Sequence, residues 1–309
     1  MFSQERLDAV QVWTMERLGI SGSWKVQNLT AGFSRCVLWH IIPEKGPELV
    51  VRVVERAQFE RLDRAYQVLE QAWSRDLPVN EPLLCEVIED ECVVMATRYI
   101  EGEDGGHILQ GLEEFELEES GRAAGLLLRG IHALPAKDNT VTDWARRRIL
   151  EYERNQAAAY DEQLSFAAQD RVEDFLEERL GTLARATIGL QHDGFHPQNM
   201  IFKDRRLAGI IGFENCDSGD PIEDFSKVPW FTVPLSETFA RSQIDAYLDG
   251  YPVDRFWERY NIAVAMSLSS SLVWAHRNYT RQRVFQYQHR IMEVVNTHDF
   301  TDGGPPSWY

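Results

Sequence analysis

The 309-residue sequence predicts an α+β protein in two parts, a small β-rich N-terminal piece and a larger, mostly helical C-terminal piece. Three observations carry that expectation. Two β-rich runs, Cys36 to Ile42 and Glu48 to Val54, are joined by Pro43-Glu44-Lys45-Gly46-Pro47, which has the residues of a turn. Further on, Ala124, Leu127, Leu128 and Ile131 recur at i, i+3, i+4 and i+7, the spacing of one helix face. The chain is too long for one small core, and its 44% hydrophobic content is enough to fill a large one or two.

Taken in order, Ser3 can cap an opening helix that puts Leu7, Val10 and Trp13 on one face. The second β run carries one charge, Arg52, on the same face as Val50 and Val54 by the two-residue period. A charge inside a strand fit for burial needs a partner, because leaving it unpaired is costly. Phe59 to Trp73 is helical in pattern, and Val93-Val94-Met95 reads as a buried strand. Tyr99-Ile100-Glu101-Gly102 then turns into the second part, with a hinge near Met95 to Tyr99 and a division into residues 1–98 and 99–309.

The acidic run Glu113 to Glu119 predicts a solvated helix start, and His132 near that helix's end reads as structural. Phe175, Leu176, Leu180 and Leu183 make a further helical stripe. Asp254 can cap a long helix through Trp274, Arg281 to Val295 predicts a last one, and the tail with Gly303-Gly304-Pro305-Pro306 is irregular.

A net charge of −17 argues against nucleic acid as a partner, since phosphate contacts need clustered Lys and Arg. The same acidity favours a cationic ligand and also serves solubility. No apolar run is long enough to span a membrane, and the four cysteines, Cys36, Cys85, Cys92 and Cys216, lack metal-site spacing. A cytoplasmic protein with reduced thiols is the expectation.

The most informative block runs from Leu190 to Phe225. It holds His192-Asp193-Gly194-Phe195-His196-Pro197-Gln198-Asn199, an apolar strand with Gly212-Phe213-Glu214, and Gly219-Asp220-Pro221-Ile222-Glu223-Asp224-Phe225. In these residues the chain resembles the aminoglycoside phosphotransferase and choline kinase family, whose pattern is H-G-D-x-H-P-x-N, then I-D-F-E, then G-D-P-x-x-D-L. The resemblance implies a bilobal protein-kinase-like fold. It also implies transfer of phosphate from ATP or GTP with Mg2+ to a hydroxyl of a small, cationic metabolite or antibiotic.

Roles follow by register. Arg52 would contact the nucleotide phosphates. Thr30 to Ser34, with Gly32 and Ser34, would cover those phosphates, and Met95 would lie at the nucleotide hinge. Asn199 would be a metal ligand, while His192 and His196 would hold the loop. The helix acid that pairs the strand's basic residue in the family falls on Ala65.

The family's catalytic aspartate falls on Gly194 and its second metal-binding aspartate on Gly212, so two acids of the pattern are glycine. A carboxylate survives one place early, at Asp193. Phosphoryl transfer needs a carboxylate to orient and accept the hydroxyl proton, with metal charge on the phosphates. Two readings stay open. In one, a small-molecule kinase uses Asp193 as a relocated base, with Gly194 allowing a new loop path through positive φ, and Glu214 as a metal ligand on the strand face of Gly212. In the other, the chain is a pseudokinase that binds, sequesters or scaffolds. Asp220 and Asp224 would support the loop, and Trp230 and Phe231 read as packing residues.

Overall fold

The computed structural model describes residues 2–29, 36–136, 140–250, 253 and 255–309. Contacts divide the chain into two compact units, Met1–Glu103 with Ile201–Asp204 and Ala208–Cys216, and Asp104–Met200 with Arg205–Leu207 and Asp217–Tyr309.

The first unit opens with α1 (Gln4–Arg17), where the Ser3 side chain accepts from the Arg6 amide as the sequence predicts. Five strands follow: β1 (Trp24–Asn28), β2 (Val37–Pro43), β3 (Leu49–Glu55), β4 (Pro82–Ile88) and β5 (Cys92–Arg98). They form one antiparallel sheet in the order β1-β2-β3-β5-β4. The alternation of β3 explains its two faces. Leu49, Val51 and Val53 are fully buried in a cluster with Val10 and Met15 of α1. Val54, with Val93 and Met95 of β5, packs instead on Leu62 of α2 (Phe59–Trp73). Arg52 lies on that second face, paired in register with Met95.

In the second unit, a two-residue strand, β6 (Glu103–Asp104), and a single turn, α3 (Gly105–Ile108), precede α4 (Glu114–His132). A reciprocal capping box of Glu113 and Glu116 starts α4. Helices α5 (Val141–Asp161) and α6 (Gln169–Arg179) lead to β7 (Gly189–Gln191). Past Arg179 the predicted helical stripe tightens into a 3-10 turn over Leu180–Arg185. Strands β8 (Met200–Lys203) and β9 (Arg206–Ile210), which fall largely in the first unit, come next in the chain, and β10 (Asp217–Gly219) of the second unit pairs antiparallel with β7.

The chain ends in α7 (Glu237–Leu248), α8 (Phe256–Asn278) and α9 (Arg281–Thr297). Asp254, expected to cap α8, lies outside the described residues. Helix α8 is buried on most sides through its middle, with Tyr260, Ile262, Val264 and Leu268 fully buried. Helices α4 and α7 pack backbone to backbone. A Cβ added at Gly125 would sit 2.1 Å from the Gln243 carbonyl oxygen.

Candidate functional site

The loop from His192 to Asn199 is held by its backbone. Both carboxylate oxygens of Asp224 accept main-chain donors, His192 N at 2.8 Å and Asp193 N at 2.6 Å. Asp224 also accepts from His132 Nε2 at 2.9 Å, while the other ring nitrogen of His132 meets the Tyr247 hydroxyl at 2.9 Å. Burial works against charge on Asp224, yet the hydrogen bond and charge of His132, with help from His192, hold its carboxyl below the usual carboxylate range. Asp220 caps the turn that begins at Pro221, accepting from Ile222 N at 3.0 Å, and pairs with Arg259, whose Nε lies 2.8 Å away. Gln191 Nε2 donates to the Asp220 carbonyl at 2.7 Å, which ties β7 to the same turn.

This frame decides where the swapped residues point. The left-handed conformation falls on Asp193, at φ 54°, whereas Gly194 has no positive φ. The expectation that Gly194 re-routes the loop is therefore corrected: position 193 bends in the way a glycine allows, and it does so with a chiral residue. The Asp193 carboxylate is 56% exposed and lies 3.2 Å from Lys227 Nζ. Desolvation by the surrounding protein raises its carboxyl above the ordinary range, with Lys227 pulling the other way. A Cβ at Gly194 would instead face the Asn199 amide nitrogen at 3.1 Å and His192 Nδ1 at 3.5 Å. The place beside Asn199 thus belongs to residue 194, which carries no side chain.

Asn199 Nδ2 donates to the Gly194 carbonyl at 2.8 Å, leaving its oxygen for other partners. His196 stacks on Phe231 with ring centroids 4.7 Å apart, and its Nδ1 meets Gln198 Oε1 at 2.9 Å. Desolvation, with Lys227 nearby, lowers its imidazole to about 4, so it is neutral near pH 7. His192 is fully buried. Both rings thus pack on aromatic neighbours, His192 on Phe195 and His196 on Phe231. Phe231 belongs to a π-helical turn, Val228–Thr232, in which Trp230 Nε1 donates to Ser267 Oγ at 3.0 Å.

In the first unit, Gly212 (φ 90°, ψ 36°) ends the run from β9, and Phe213–Asn215 forms a 3-10 turn. The expectation of a common strand face for Gly212 and Glu214 is corrected by that turn. The Glu214 carboxylate pairs with the Arg52 guanidinium, and the two side chains are only 18% and 14% exposed. Arg52 Nη1 also donates to Cys36 Sγ at 2.9 Å. Ala65 is fully buried on α2, so the strand's arginine takes its acid from the far side of the sequence. Helix α2 contributes an arginine to the same corner. Arg61 Nε donates to the Glu214 carbonyl at 2.9 Å, and its Nη2 to Asn215 Oδ1.

Magnesium favours one or two carboxylates in its octahedron. Asn199 offers a neutral oxygen, Gly212 offers nothing, and Glu214 is engaged by Arg52. Among the described residues no group of three or more His, Cys, Asp or Glu is placed to hold a metal ion. Taken each within its own unit, neither Asn199 nor Gly212 nor the paired Glu214 offers a free carboxylate to a divalent cation.

Of the residues singled out in sequence, the structure joins Arg52 with Glu214, and Gly194 with Asn199, His192 and His196. Met95 is buried beside Arg52 in β5. Gly32 and Ser34 lie outside the described residues. Sequence reasoning missed Lys227 and Arg61. Lys227 lies two residues past the Gly-Asp-Pro block, and Arg61 lies one turn from the vacant acid position on α2.

A five-stranded antiparallel sheet with one crossing helix, followed by a helical unit whose His-Asp-Gly-Phe-His loop is held by a downstream Gly-Asp-Pro turn, defines a kinase-like phosphotransferase scaffold. The chain belongs to the phosphotransferase enzyme family, whose model matches residues 25–257. Solved structures share the fold. The GDP complex of a mutant aminoglycoside 2'-phosphotransferase-IIIa is 19% identical, with 96% of this chain and 99% of that one covered and a TM-score of 0.69. The gentamicin complex of APH(2")-IIa is 18% identical over 95% and 97%, with a TM-score of 0.66. A thermostable APH(4)-Ia mutant with ADP and hygromycin B is 15% identical over 93% and 98%, with a TM-score of 0.64. A search of curated proteins finds no match. Among the described residues no helix is long and apolar enough to cross a membrane.

Proposed function

We propose that this chain binds a nucleoside triphosphate and a small, hydroxylated, cationic molecule of the aminoglycoside kind, and has lost phosphoryl transfer. It would act as a pseudokinase that senses or sequesters its ligand in the cytoplasm. The observation that carries this reading is the side of the loop facing Asn199, where residue 194 is glycine and the carboxylate one place earlier, Asp193, is turned to Lys227. Loss of a positioned base costs about 10²- to 10⁴-fold in rate. The nucleotides and antibiotics in the relatives support the ligand classes. The net charge of −17 favours a cation over a nucleic acid.

A second reading has one observation in its favour. Asp193 is more than half exposed and its carboxyl is raised, both suited to a general base in a small-molecule kinase. The test is ADP release from ATP or GTP with a panel of aminoglycosides and aminoalcohols. Binding without turnover above the Asp193→Asn background supports the pseudokinase; turnover abolished by Asp193→Asn establishes the kinase in its place.

A further inference from the structure

The loop from His192 to Asn199 holds one acid, Asp193, and that acid already has a cation beside it. Lys227 Nζ lies 3.2 Å from Asp193 Oδ1, and the two side chains are 32% and 56% exposed. Lys227 ends the turn that begins at Pro221, and the turn that follows, Val228–Thr232, carries Phe231, whose ring stacks on His196. Two consecutive helical turns thus border the loop with a cation and an aromatic ring. We infer that Lys227 is a specificity residue that receives a carboxylate of the bound molecule, so that the ligand is a hydroxylated amino acid and not a simple amine. The inference rests on the small-molecule reading above and narrows its ligand class, since the ligand keeps its cation and gains an anion.

Charge and geometry support it together. Pairing with Lys227 cancels the loop's one negative charge, so an incoming ammonium would have to part Lys227 from Asp193 and then sit near it, where like charges repel. A carboxylate meets no such barrier. A lysine ammonium has three donors on a flexible stem, and among the described residues Asp193 is the one acid paired with it. An exposed pair of this kind adds little to stability, so sharing Lys227 with a ligand carboxylate costs little. The neighbouring arginines are committed. Arg148 of α5 gives Nε to Glu223 at 2.7 Å and Nη1 to Glu151 at 2.6 Å, and Arg259 is bound to Asp220. His196, neutral near pH 7, offers an anion no charge. Lys227 is therefore the side chain with a charge to share. One ammonium balances one carboxylate, whereas a phosphate group brings about −1.5 to −2 at pH 7.

The test is calorimetric titration of the full chain with matched probes that differ by a carboxylate alone, 3-aminopropan-1-ol against L-homoserine and ethanolamine against L-serine, and with kanamycin as a polyamine that has no carboxylate. Wild type, Lys227→Met, Lys227→Gln and Lys227→Arg are compared, with far-UV circular dichroism and melting as controls of folding. In the wild type the carboxylated member of at least one pair is expected to bind about tenfold more tightly or better. Either neutral variant that folds is expected to bring the two members of that pair within about twofold, and Lys227→Arg to keep the preference, a pattern that a merely structural lysine would not give.

Amino alcohols that bind as tightly as their carboxylated partners would overturn the inference and leave the small-molecule reading in place, as would binding of kanamycin with no response to either amino acid. A preference for the carboxylate that persists undiminished in a folded neutral variant would overturn it as well. Absence of binding by every probe to the wild type would remove the small-molecule reading itself and the inference with it, an outcome distinct from the others.

Discussion

Reversing the order of residues 193 and 194 is the most informative single perturbation. In the double variant Asp193→Gly with Gly194→Asp, glycine would occupy the position at φ 54°, and the carboxylate would enter the position whose Cβ faces Asn199. Left-handed backbone costs an ordinary L-residue roughly 1–2 kcal/mol, and less for aspartate, so the first change returns up to about 1 kcal/mol. It forfeits the exposed pair with Lys227, worth about 0–1 kcal/mol. The second change places a Cβ 3.1 Å from Asn199 Nδ2, a side-chain atom that can move by a few tenths of an ångström and can donate to the new carboxylate. The freedom that the unfolded chain loses at 194 is returned at 193, since the swap keeps one glycine, so that contribution cancels.

The sum is close to zero, so the melting temperature should stay within about 4 °C of the parent. Restoring a base should raise ADP release by about 10²-fold or more, wherever the remaining site supports transfer. Differential scanning calorimetry and a coupled ADP assay measure the two quantities. A loss of more than about 3 kcal/mol would refute the assignment of the left-handed conformation to position 193. A stable variant that binds ATP and still shows no gain in turnover would refute the view that position 194 governs the chemistry.

Three further outcomes are expected. Gly125→Ala, which drives a Cβ into the Gln243 backbone, should lower stability by roughly 1–3 kcal/mol through separation of α4 and α7, measured by urea denaturation. Asp224→Ala strands the amides of His192 and Asp193 and one nitrogen of His132; a loss of about 3 kcal/mol or more is expected, and a loss below 1 kcal/mol would show that the loop is held by other contacts. His196 and His298 are each lowered to about 4 by desolvation, against about 6.5 when unfolded, so the unfolded chain binds protons first as pH falls. Stability should therefore decline between pH 6.5 and 4 by up to roughly 3 kcal/mol per histidine, and His298→Gln should remove about half of that slope.

Much of the fold was legible because its signals are local. The α2 pattern, Phe59 to Trp73, matches the observed helix end to end, and Ser3 caps α1 as its position predicts. The support of the loop by Asp220 and Asp224 was also readable, since those acids sit in a short, spaced motif. The partner of Arg52 was not. Residue spacing looks for it on the neighbouring helix, while the structure supplies Glu214 from a turn that only Gly212's positive φ creates. Similarly, an Asp-Gly pair tempts one to give the unusual backbone to the glycine; only the two amides bonded to Asp224 show that the bend lies one residue earlier. The intimate contact of α4 with α7 depends on glycines that a hydrophobic-stripe reading passes over.

The grip of Asp224 on two main-chain amides has a consequence for how such a protein changes over generations. Since every amino acid except proline brings a main-chain N–H, the curve of the loop is insured against turnover of its own side chains. Chemistry can be written into positions 193 and 194, erased, or written back while the architecture stays as it is. A lineage could pass between a working transferase and a mute receptor through a handful of codons, with each intermediate still folding.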